Sequence, residues 1–588
     1  MRFFICTKSI TKSSIMPFFP VVPALAGMCA LALLTGVDAA CRSIPGDADW
    51  PSSEHWTALN TTVQGRLIQT VPQASICHTS PFAGFDADAC STLQSTWALT
   101  ETYEVKPAEF MNAYYQNQSC DPFTDSSKPC ELGNYAAYSI DVTGPDDVIA
   151  AINFAHEQNV RLVVKSTGHD YVGKSTGKGA LSLWMFNLKT AEVIEQYESE
   201  TYTGPAMKIG SGIIGGEAIA VAAEAGYRVV GGECASVSLA GGYTQGGGHS
   251  MLNSAYGMAA DNVLEWEVVT AAGEYLVATP ENNTDLYWAL SGGGGGTYGV
   301  VLSMTTKVYP DGPIASAILT FGFNDTTQET NYWEAVELWF QSLPTFVANN
   351  NSILLSIAND SFQVIGFTLP DQAASAVDSL LDPFIADLKR LDITYTLTPN
   401  VSTTYVNYFN SILGPIPYGP FPPTEVWTSR LIPRSIVANA TTNANLIDAF
   451  RQTVADGTFS VGCNVISVAD AQHPDNSVLP AWRNAIAQCN PTTYWDFQAP
   501  LETNLAIKEE LVSVYTPLIE EATPDSGVYL NEIDPWYKGD WKQEMYGAGY
   551  DRLLSIKQKY DPHQLLYGQF AVGSDEFSID ESGRLCTG

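Results

Sequence analysis

Positive charge is scarce in this sequence of 588 residues. Lysine and arginine together number 28 against 63 aspartates and glutamates, which gives a formal net charge of −35 at pH 7. A surface of that sign repels the phosphates of nucleic acids and of anionic lipids, so both are excluded as partners. We therefore expect the protein to act on a small molecule.

Histidine is scarce as well, with seven in the chain. Five of them share no spacing that is typical of metal ligands, namely His55, His78, His156, His473 and His563. The acidic residues show no paired-carboxylate signature, and neither internal repeats nor low-complexity tails appear. We therefore predict no metal site.

Long apolar runs are missing after the first forty residues. Before that point a basic leader precedes an apolar stretch over residues 24–34, and small residues at 37–39 suit signal peptidase. A retained membrane anchor is the alternative, but the apolar stretch is short for one. We expect residues 1–39 to be a secretory signal and the mature protein, from about Ala40, to be secreted or lumenal without membrane contact.

The stretch from Arg161 to Tyr171 is where we place the chemistry. Residues 161–164 are typical of a short buried strand, after which the chain turns sharply. The turn offers groups that suit a pyrophosphate: the charge of Lys165, the hydroxyls of Ser166 and Thr167, and backbone at Gly168 that can approach a ligand closely.

A phosphate loop is the competing interpretation of this turn. Residues 168–175 match G-x-x-x-x-G-K-S, a motif that requires a helix to follow at once so that its N-terminal amides face the phosphates. Here two further glycines and the strand-like residues 180–186 follow instead. The missing helix argues against a nucleotide triphosphatase.

A second glycine-rich stretch runs from Gly231 to Ser250. Five glycines fall within eight residues, namely Gly241, Gly242, Gly246, Gly247 and Gly248. They indicate backbone packed closely against something, with few side chains between. We interpret His249 as structural. The glycines at 292–296 follow a helix and precede a strand, the reverse of a dinucleotide fingerprint, so we predict close backbone packing there.

Together the two stretches resemble the berberine-bridge-enzyme-like branch of the vanillyl-alcohol-oxidase flavoprotein family. In that branch a strand-turn histidine bonds to the 8α carbon of FAD, and a cysteine in a G-x-C-x-x-V-G-x-x-G-G motif bonds to flavin C6. The matching residues are His169 and Cys234, which are 65 positions apart. The resemblance implies covalent FAD, with Asp170 and Tyr171 also in the cofactor-binding turn. Ser238 departs from the family pattern, which has glycine there.

Two further positions take an expected role from the resemblance. Val237 matches the position where small aliphatic residues admit O2, which implies an oxidase. Residues 541–575 resemble the closing segment of the family, although Gly549 stands where asparagine is usual. Tyr546 in that segment is a candidate general base, but we prefer to interpret it as a packed tyrosine.

Nine cysteines remain after signal removal, an odd number. If Cys234 is attached to flavin, the other eight can form four disulfides in an oxidising compartment. Eight cysteines allow roughly a hundred pairings. Proximity along the chain suggests Cys77–Cys90, Cys120–Cys130 and Cys463–Cys489, with Cys41–Cys586 tying the termini. A disulfide partner or a buried free thiol is the alternative for Cys234. Eight N-glycosylation sequons, the first at Asn60, fit the same compartment.

The expected fold is α+β: a PCMH-type FAD-binding domain of two α/β subdomains, plus an α+β substrate domain with an antiparallel sheet. The expected boundaries are 1–39 for the signal peptide, 40–130 for a disulfide-rich segment, 131–312 for the FAD-binding domain, 313–540 for the substrate domain, and 541–588 for a C-terminal segment that returns to the FAD domain.

The expected function is that of an FAD-linked oxidase. It would pass a hydride from a small organic substrate, an alcohol of a fungal secondary-metabolite pathway, to covalent FAD, which O2 reoxidises to give hydrogen peroxide. An oxidase of carbohydrates or alkaloid amines is the alternative within the family. A flavin- or ligand-binding scaffold is the non-enzymatic alternative. The oligomeric state is not predicted.

Overall fold

The computed structural model describes residues 41–79 and 81–587. The expected signal peptide at 1–39 lies outside the described residues. Within the described part of the chain, no helix combines the length and the apolar character that a membrane crossing requires.

The turn that contains His169 follows a strand of the first sheet. The strands of this sheet, in spatial order, are Leu67–Gln69, Tyr138–Asp141, Leu181–Trp184 and Leu162–Lys165. The last three are parallel, and the first pairs antiparallel with its neighbour. The helix Pro145–Glu157 makes the crossover: Pro145 opens its first turn, two aspartates follow, and its apolar face is buried. These strands and this helix form an α/β unit, of the kind expected for the FAD-binding domain.

The second sheet is antiparallel and lies next in the chain. Its strands, in spatial order, are Ala191–Glu198, Thr203–Gly210, Val300–Pro310, Val263–Val269 and Tyr275–Ala278, with Tyr227–Val229 pairing to the end of the third. The helix Gly215–Glu224 packs beside it, and the glycine-rich loop that contains Cys234 follows the Tyr227–Val229 strand. This is a second α/β unit, and two were expected in the FAD-binding domain.

The third sheet is antiparallel and has eight strands. In spatial order they are Thr394–Ser402, Ile314–Gly322, Ser361–Pro370, Ser352–Ile357, Ser460–Val465, Ala485–Tyr494 and Glu425–Trp427, with Arg430–Pro433 also pairing to the sixth. Long helices cover one face and form an aromatic core with it, in which Trp339 and Phe384 are buried. The short edge strand Glu425–Trp427 matters most for the site. A fourth, two-stranded sheet joins Phe577–Ile579 to Leu585–Thr587.

The α-helices of the described chain are Ser53–Thr62, Ala87–Thr96, Glu101–Glu104, Ala113–Gln116, Pro145–Glu157, Gly215–Glu224, Asn253–Tyr256, Thr284–Leu290, Glu329–Phe346, Ala374–Arg390, Tyr405–Ile412, Arg434–Val437, Ala440–Val454, Ala481–Asn484, Leu501–Glu510, Thr516–Ala522, Trp541–Tyr546 and Tyr550–Tyr560. Helices and antiparallel sheets together make the fold α+β, as expected. The second sheet gives way to the third between Pro310 and Ile314.

Four disulfide bonds cross-link the described chain. They join Cys41 to Cys586, Cys77 to Cys90, Cys120 to Cys130, and Cys463 to Cys489. All four pairs suggested by the sequence are thereby confirmed, and Cys234 is the free cysteine among the described residues. The odd thiol is thus left available for chemistry.

The C-terminal helix Tyr550–Tyr560 packs into the core of the second sheet. Leu553 is fully buried there, and a side chain on Gly293 would lie 2.8 Å from its Cδ2. Helix and glycine run are therefore in close contact, as predicted for the glycines at 292–296. Leu554, the next residue, is only half-buried.

Leu553→Ala should therefore destabilise the protein by about 2–5 kcal/mol, because it opens a cavity against a rigid glycine backbone. Leu554→Ala is the matched control, and it should cost much less. The midpoint of guanidinium unfolding measures both. Equal losses for the two variants would contradict the packing described here.

Candidate active site

A cavity of about 300 Å³ lies where the glycine-rich segments approach the third sheet. Its wall is drawn from the turn at 166–175, the loop at 232–245, the glycines at 295 and 296, and the strand Glu425–Trp427. The volume falls within the range of small-molecule and cofactor sites. We treat this cavity as the candidate active site.

His169 lines the cavity and lies within the turn that follows the Leu162–Lys165 strand. Its Nε2 atom lies 2.8 Å from the hydroxyl of Ser236. Burial, and then the charge of Lys165, lower the pKa of His169 to about 4. The imidazole is therefore neutral at physiological pH and keeps a lone pair for nucleophilic attack.

Cys234 lies close to the same serine. Its Sγ atom lies 3.4 Å from the Ser236 hydroxyl, so one buried hydroxyl touches both the histidine and the free cysteine. Burial raises the pKa of Cys234 to about 12. The thiol is accordingly un-ionised, and any bond it forms requires removal of its proton during the reaction.

Glycine backbone forms part of the cavity wall. A Cβ added to Gly242 or Gly296 would meet nothing within 4 Å, whereas one on Gly295 would lie 2.8 Å from the Cα of Gly242. The two glycine runs therefore pack backbone to backbone and leave the cavity open beside them. Gly168 has a φ of +93°, which favours glycine at the turn itself.

This wall fits FAD. A flat ring system and a pyrophosphate both need close approach of backbone, and two nucleophilic side chains stand beside that backbone. Lys174 supplies a cation, since it lines the cavity and makes no hydrogen bond to the described residues. Burial lowers the pKa of Lys174, with Asp170 acting in the opposite direction.

Lys165 occupies a different place from the one expected of it. Its Nζ atom donates to the carbonyl oxygens of Tyr103, Glu104 and Lys106, at 3.4, 3.5 and 2.9 Å. The side chain is fully buried and is not part of the cavity wall. Its ammonium therefore anchors the turn to the preceding segment, while the cation at the cavity is that of Lys174.

Asp170 shapes the rest of the turn. Its carboxylate accepts hydrogen bonds from the backbone of Val172 and from both the backbone and the hydroxyl of Ser175. No helix follows these residues, and the next regular element is the strand Leu181–Trp184. The structural context required by a phosphate loop is thus absent from this part of the described chain.

Acidic and aromatic side chains also line the cavity. Glu425 lies 3.5 Å from the hydroxyl of Tyr171, and the ring of Tyr171 packs against that of Trp427. Burial raises the pKa of Glu425 to about 7. This carboxyl can therefore exchange a proton near neutral pH.

His249 is held between two carboxylates at the cavity edge. Its Nδ1 lies 3.0 Å from Glu233 and its Nε2 2.7 Å from Glu532. Burial opposes protonation of the ring, but the two carboxylates outweigh it, so the pKa of His249 is raised well above its usual value. Glu532 is in turn bound by Gln488 and Asn490. This ion cluster fixes the geometry of the wall.

The structure brings most of the sequence-predicted residues to one cavity. Those that line it are Ser166, Thr167, Gly168, His169, Asp170, Tyr171, Cys234, Val237, Gly241 and Gly242. Those that do not line it are Lys165, Gly246, Gly247, Gly248 and Tyr546. A side chain on Gly246 would collide with Asn531, and one on Gly248 with Ala259 and Tyr243, so these glycines allow close packing behind the wall.

Sequence reasoning missed several residues of the wall. Glu425 and Trp427 come from an edge strand that no motif marks. Lys174 stood in the same turn, and its position beside Gly173 was a usable signal. Gly295 and Gly296 were recognised as packing glycines but not as part of a site.

Two protein families match parts of this chain. Residues 136–279 match the family described as FAD binding domain, and residues 528–569 match the family described as berberine and berberine like. A bifunctional decalin synthase, calF of Penicillium decumbens, is 53% identical over 97% of this chain and 100% of its own. The VAO-type flavoprotein oxidase VAO615 of Thermothelomyces thermophilus is 50% identical over 93% of this chain and 95% of its own.

The chain belongs to the berberine-bridge-enzyme-like branch of the vanillyl-alcohol-oxidase family. This flavoprotein is an FAD-dependent oxidoreductase, and the resemblance inferred from its motifs is confirmed. The crystal structure of MtVAO615 from Myceliophthora thermophila superimposes on it with a TM-score of 0.90 at 49% identity, over 93% of this chain and 100% of the other.

A more distant flavoprotein of the same fold is the glucooligosaccharide oxidase of Acremonium strictum, described with a 6-S-cysteinyl, 8α-N1-histidyl FAD. It is 17% identical over 75% of this chain and 92% of its own, with a TM-score of 0.60. At that identity the likeness concerns the fold alone.

Proposed function

We propose that this flavoprotein is an oxidase that holds FAD by two covalent bonds, takes a hydride from a small organic substrate and passes the electrons to O2, releasing H2O2. The observation that carries the proposal is the convergence of His169 and Cys234 on the hydroxyl of Ser236 at the cavity wall. A neutral histidine and a free cysteine are the two nucleophiles that double attachment requires.

The residues that would hold FAD are His169 and Cys234 at the ring, with the glycine wall and Lys174 along the rest. When bound, FAD supplies hydride acceptance, and the protein orients the substrate and handles its proton. The cysteinyl, histidyl flavin of the glucooligosaccharide oxidase is a precedent for this pair of links on the same fold.

Glu425 is our candidate for the general base. Such a base needs a pKa near the working pH and access to the substrate hydroxyl. Glu425 lines the cavity, and burial raises its pKa to about 7. Tyr546 fits less well, because its hydroxyl donates to the carbonyl of Phe570 and lies outside the cavity wall.

The substrate we propose is an alcohol of fungal secondary metabolism. Aromatic side chains line the cavity, among them Tyr171, Phe421, Trp427 and Tyr529. Such a lining favours a largely apolar molecule with few polar groups. The relative named as a decalin synthase is consistent with this choice. Carbohydrates and alkaloid amines are the substrates to test beside it.

A secretory location and the expected domain boundaries belong to the same proposal. The four disulfides support an oxidising compartment. The change of sheet after Pro310 supports a boundary near residue 312, and the packing of Leu553 against Gly293 supports the return of the C-terminal segment to the FAD domain.

Double attachment predicts a specific pattern of flavin retention. The wild-type protein should be yellow and should keep its flavin in the pellet after acid precipitation. His169→Ala should retain flavin through Cys234, and Cys234→Ala through His169, while the double variant should release it. Flavin absorbance of pellet and supernatant measures the outcome. Complete release from the wild-type protein would remove the covalent claim.

Glu425→Gln should lower kcat/KM by roughly 100-fold or more, because the proton acceptor is lost. In the wild-type enzyme the carboxylate form is the active one, so kcat/KM should rise with pH through about 7; the variant should lack that rise. The flavin content of the pellet is the control and should not change. An unaltered pH profile in the variant would assign the ionisation to another group.

Val237→Leu should separate the two half-reactions. Val237 lines the cavity three residues after Cys234, and one added methylene in a close-packed site obstructs the approach of O2. Stopped-flow measurement should show flavin reduction by substrate at nearly the original rate and much slower reoxidation by O2. Val237→Ala is the matched control and should reoxidise normally. Equal slowing of both half-reactions, or of neither, would show that Val237 is ordinary packing.

A further inference from the structure

Glu104 is a buried carboxyl group without a hydrogen-bond partner among the described residues. It ends the short helix Glu101–Glu104, it is fully buried, and neither of its oxygens is satisfied. A buried carboxyl group without a hydrogen-bond partner costs free energy of folding, so its presence at this position calls for a reason. The histidine of the proposed flavin link supplies one, because Oε1 lies 4.0 Å from Nε2 of His169.

The position of Glu104 is fixed by the same contacts that fix the His169 turn. Lys165 precedes the turn and donates to the backbone carbonyls of Tyr103, Glu104 and Lys106. The hydroxyl of Tyr103 donates in turn to the carbonyl of Trp97, at 2.6 Å. The carboxyl is therefore held beside the imidazole by the fold.

The contacts of His169 distinguish its two ring nitrogens. Nε2 faces both the Ser236 hydroxyl and Glu104, whereas no described residue forms a hydrogen bond with Nδ1. A neutral imidazole carries its proton on one nitrogen and a lone pair on the other. The tautomer with the proton on Nε2 donates to Ser236 and leaves the lone pair of Nδ1 available for a bond.

We propose that Glu104 is the proton acceptor for self-catalysed attachment of FAD to His169. The proposal rests on the covalent link to His169 proposed above. Nδ1 bonds to the 8α carbon in place of a C–H bond, whose hydrogen leaves as a proton, and the Nε2 proton passes to the carboxylate of Glu104, whose Oε1 lies 4.0 Å from Nε2. The two electrons left on the cofactor, with two protons, go to O2, which leaves as hydrogen peroxide.

The acidities of the two groups favour this direction of transfer. Burial raises the pKa of Glu104 to about 8, and burial lowers that of His169 to about 4. The titratable groups that interact with Glu104 are His169, Cys234, Lys165, Lys189, Glu101, Glu217 and Tyr418. Attachment requires the carboxylate form, so its rate should rise with pH through about 8.

The test uses the full chain with Cys234→Ala, so that His169 is the remaining attachment site. Protein produced in a riboflavin-starved host, and therefore without attached flavin, is mixed with FAD, and intact mass gives the fraction that gains covalent FAD over time and across pH. Glu104→Gln should slow attachment by roughly 100-fold and abolish the rise with pH, while non-covalent FAD binding, followed by absorbance, persists. Glu104→Asp keeps the carboxylate, so it should attach more slowly than the parent with the pH dependence retained.

Glu109→Gln is the matched control. Glu109 is buried in the same segment and burial raises its pKa to about 7, but it accepts from the backbone of Gln73 and has no contact with His169. It should attach FAD at the parental rate. Attachment at the parental rate by Glu104→Gln, or a slower rate with unchanged pH dependence, would overturn the role of Glu104. If Glu104→Gln does not fold, loss of the pH dependence in Glu104→Asp overturns it. Absence of covalent FAD in the parent at every pH would instead refute the covalent link itself.

Discussion

The site depends on the hydrogen bonds that the buried ammonium group of Lys165 donates to backbone carbonyl oxygens. Lys165 ends the Leu162–Lys165 strand and binds three backbone carbonyls of the segment around Glu104. Burial lowers the pKa of Lys165 to about 7, with Glu104 and Glu109 acting in the opposite direction. The contact sets where the strand stops and where the following turn begins, and His169 takes its place against Ser236 from that turn.

Near this anchor, glycine backbone forms part of the cavity wall. Glycines from two separate runs pack on each other, and the helix that contains Leu553 packs against the second run from behind. The cavity is also lined by the side chains to which we assign chemistry, namely His169, Cys234 and Glu425. His249 at the cavity wall forms an ion cluster with Glu233 and Glu532.

Local features of the fold could be predicted from the sequence, because local residues determine them. Three of the four disulfides, Cys77–Cys90, Cys120–Cys130 and Cys463–Cys489, were predicted from the proximity of their cysteines along the chain. The site could be predicted only in part. The direction of the Lys165 side chain depends on a segment some sixty residues earlier, and Glu425 meets Tyr171 across 254 positions. No periodicity or motif encodes such contacts.

Peptide mass spectrometry of the digested wild-type protein tests the central claim most directly. If FAD is attached to both side chains, the peptides that contain His169 and Cys234 will be recovered as one species, joined through a single FAD. Recovery of both peptides unmodified, with the flavin free in solution, would contradict the double attachment from which the rest of the proposed chemistry follows.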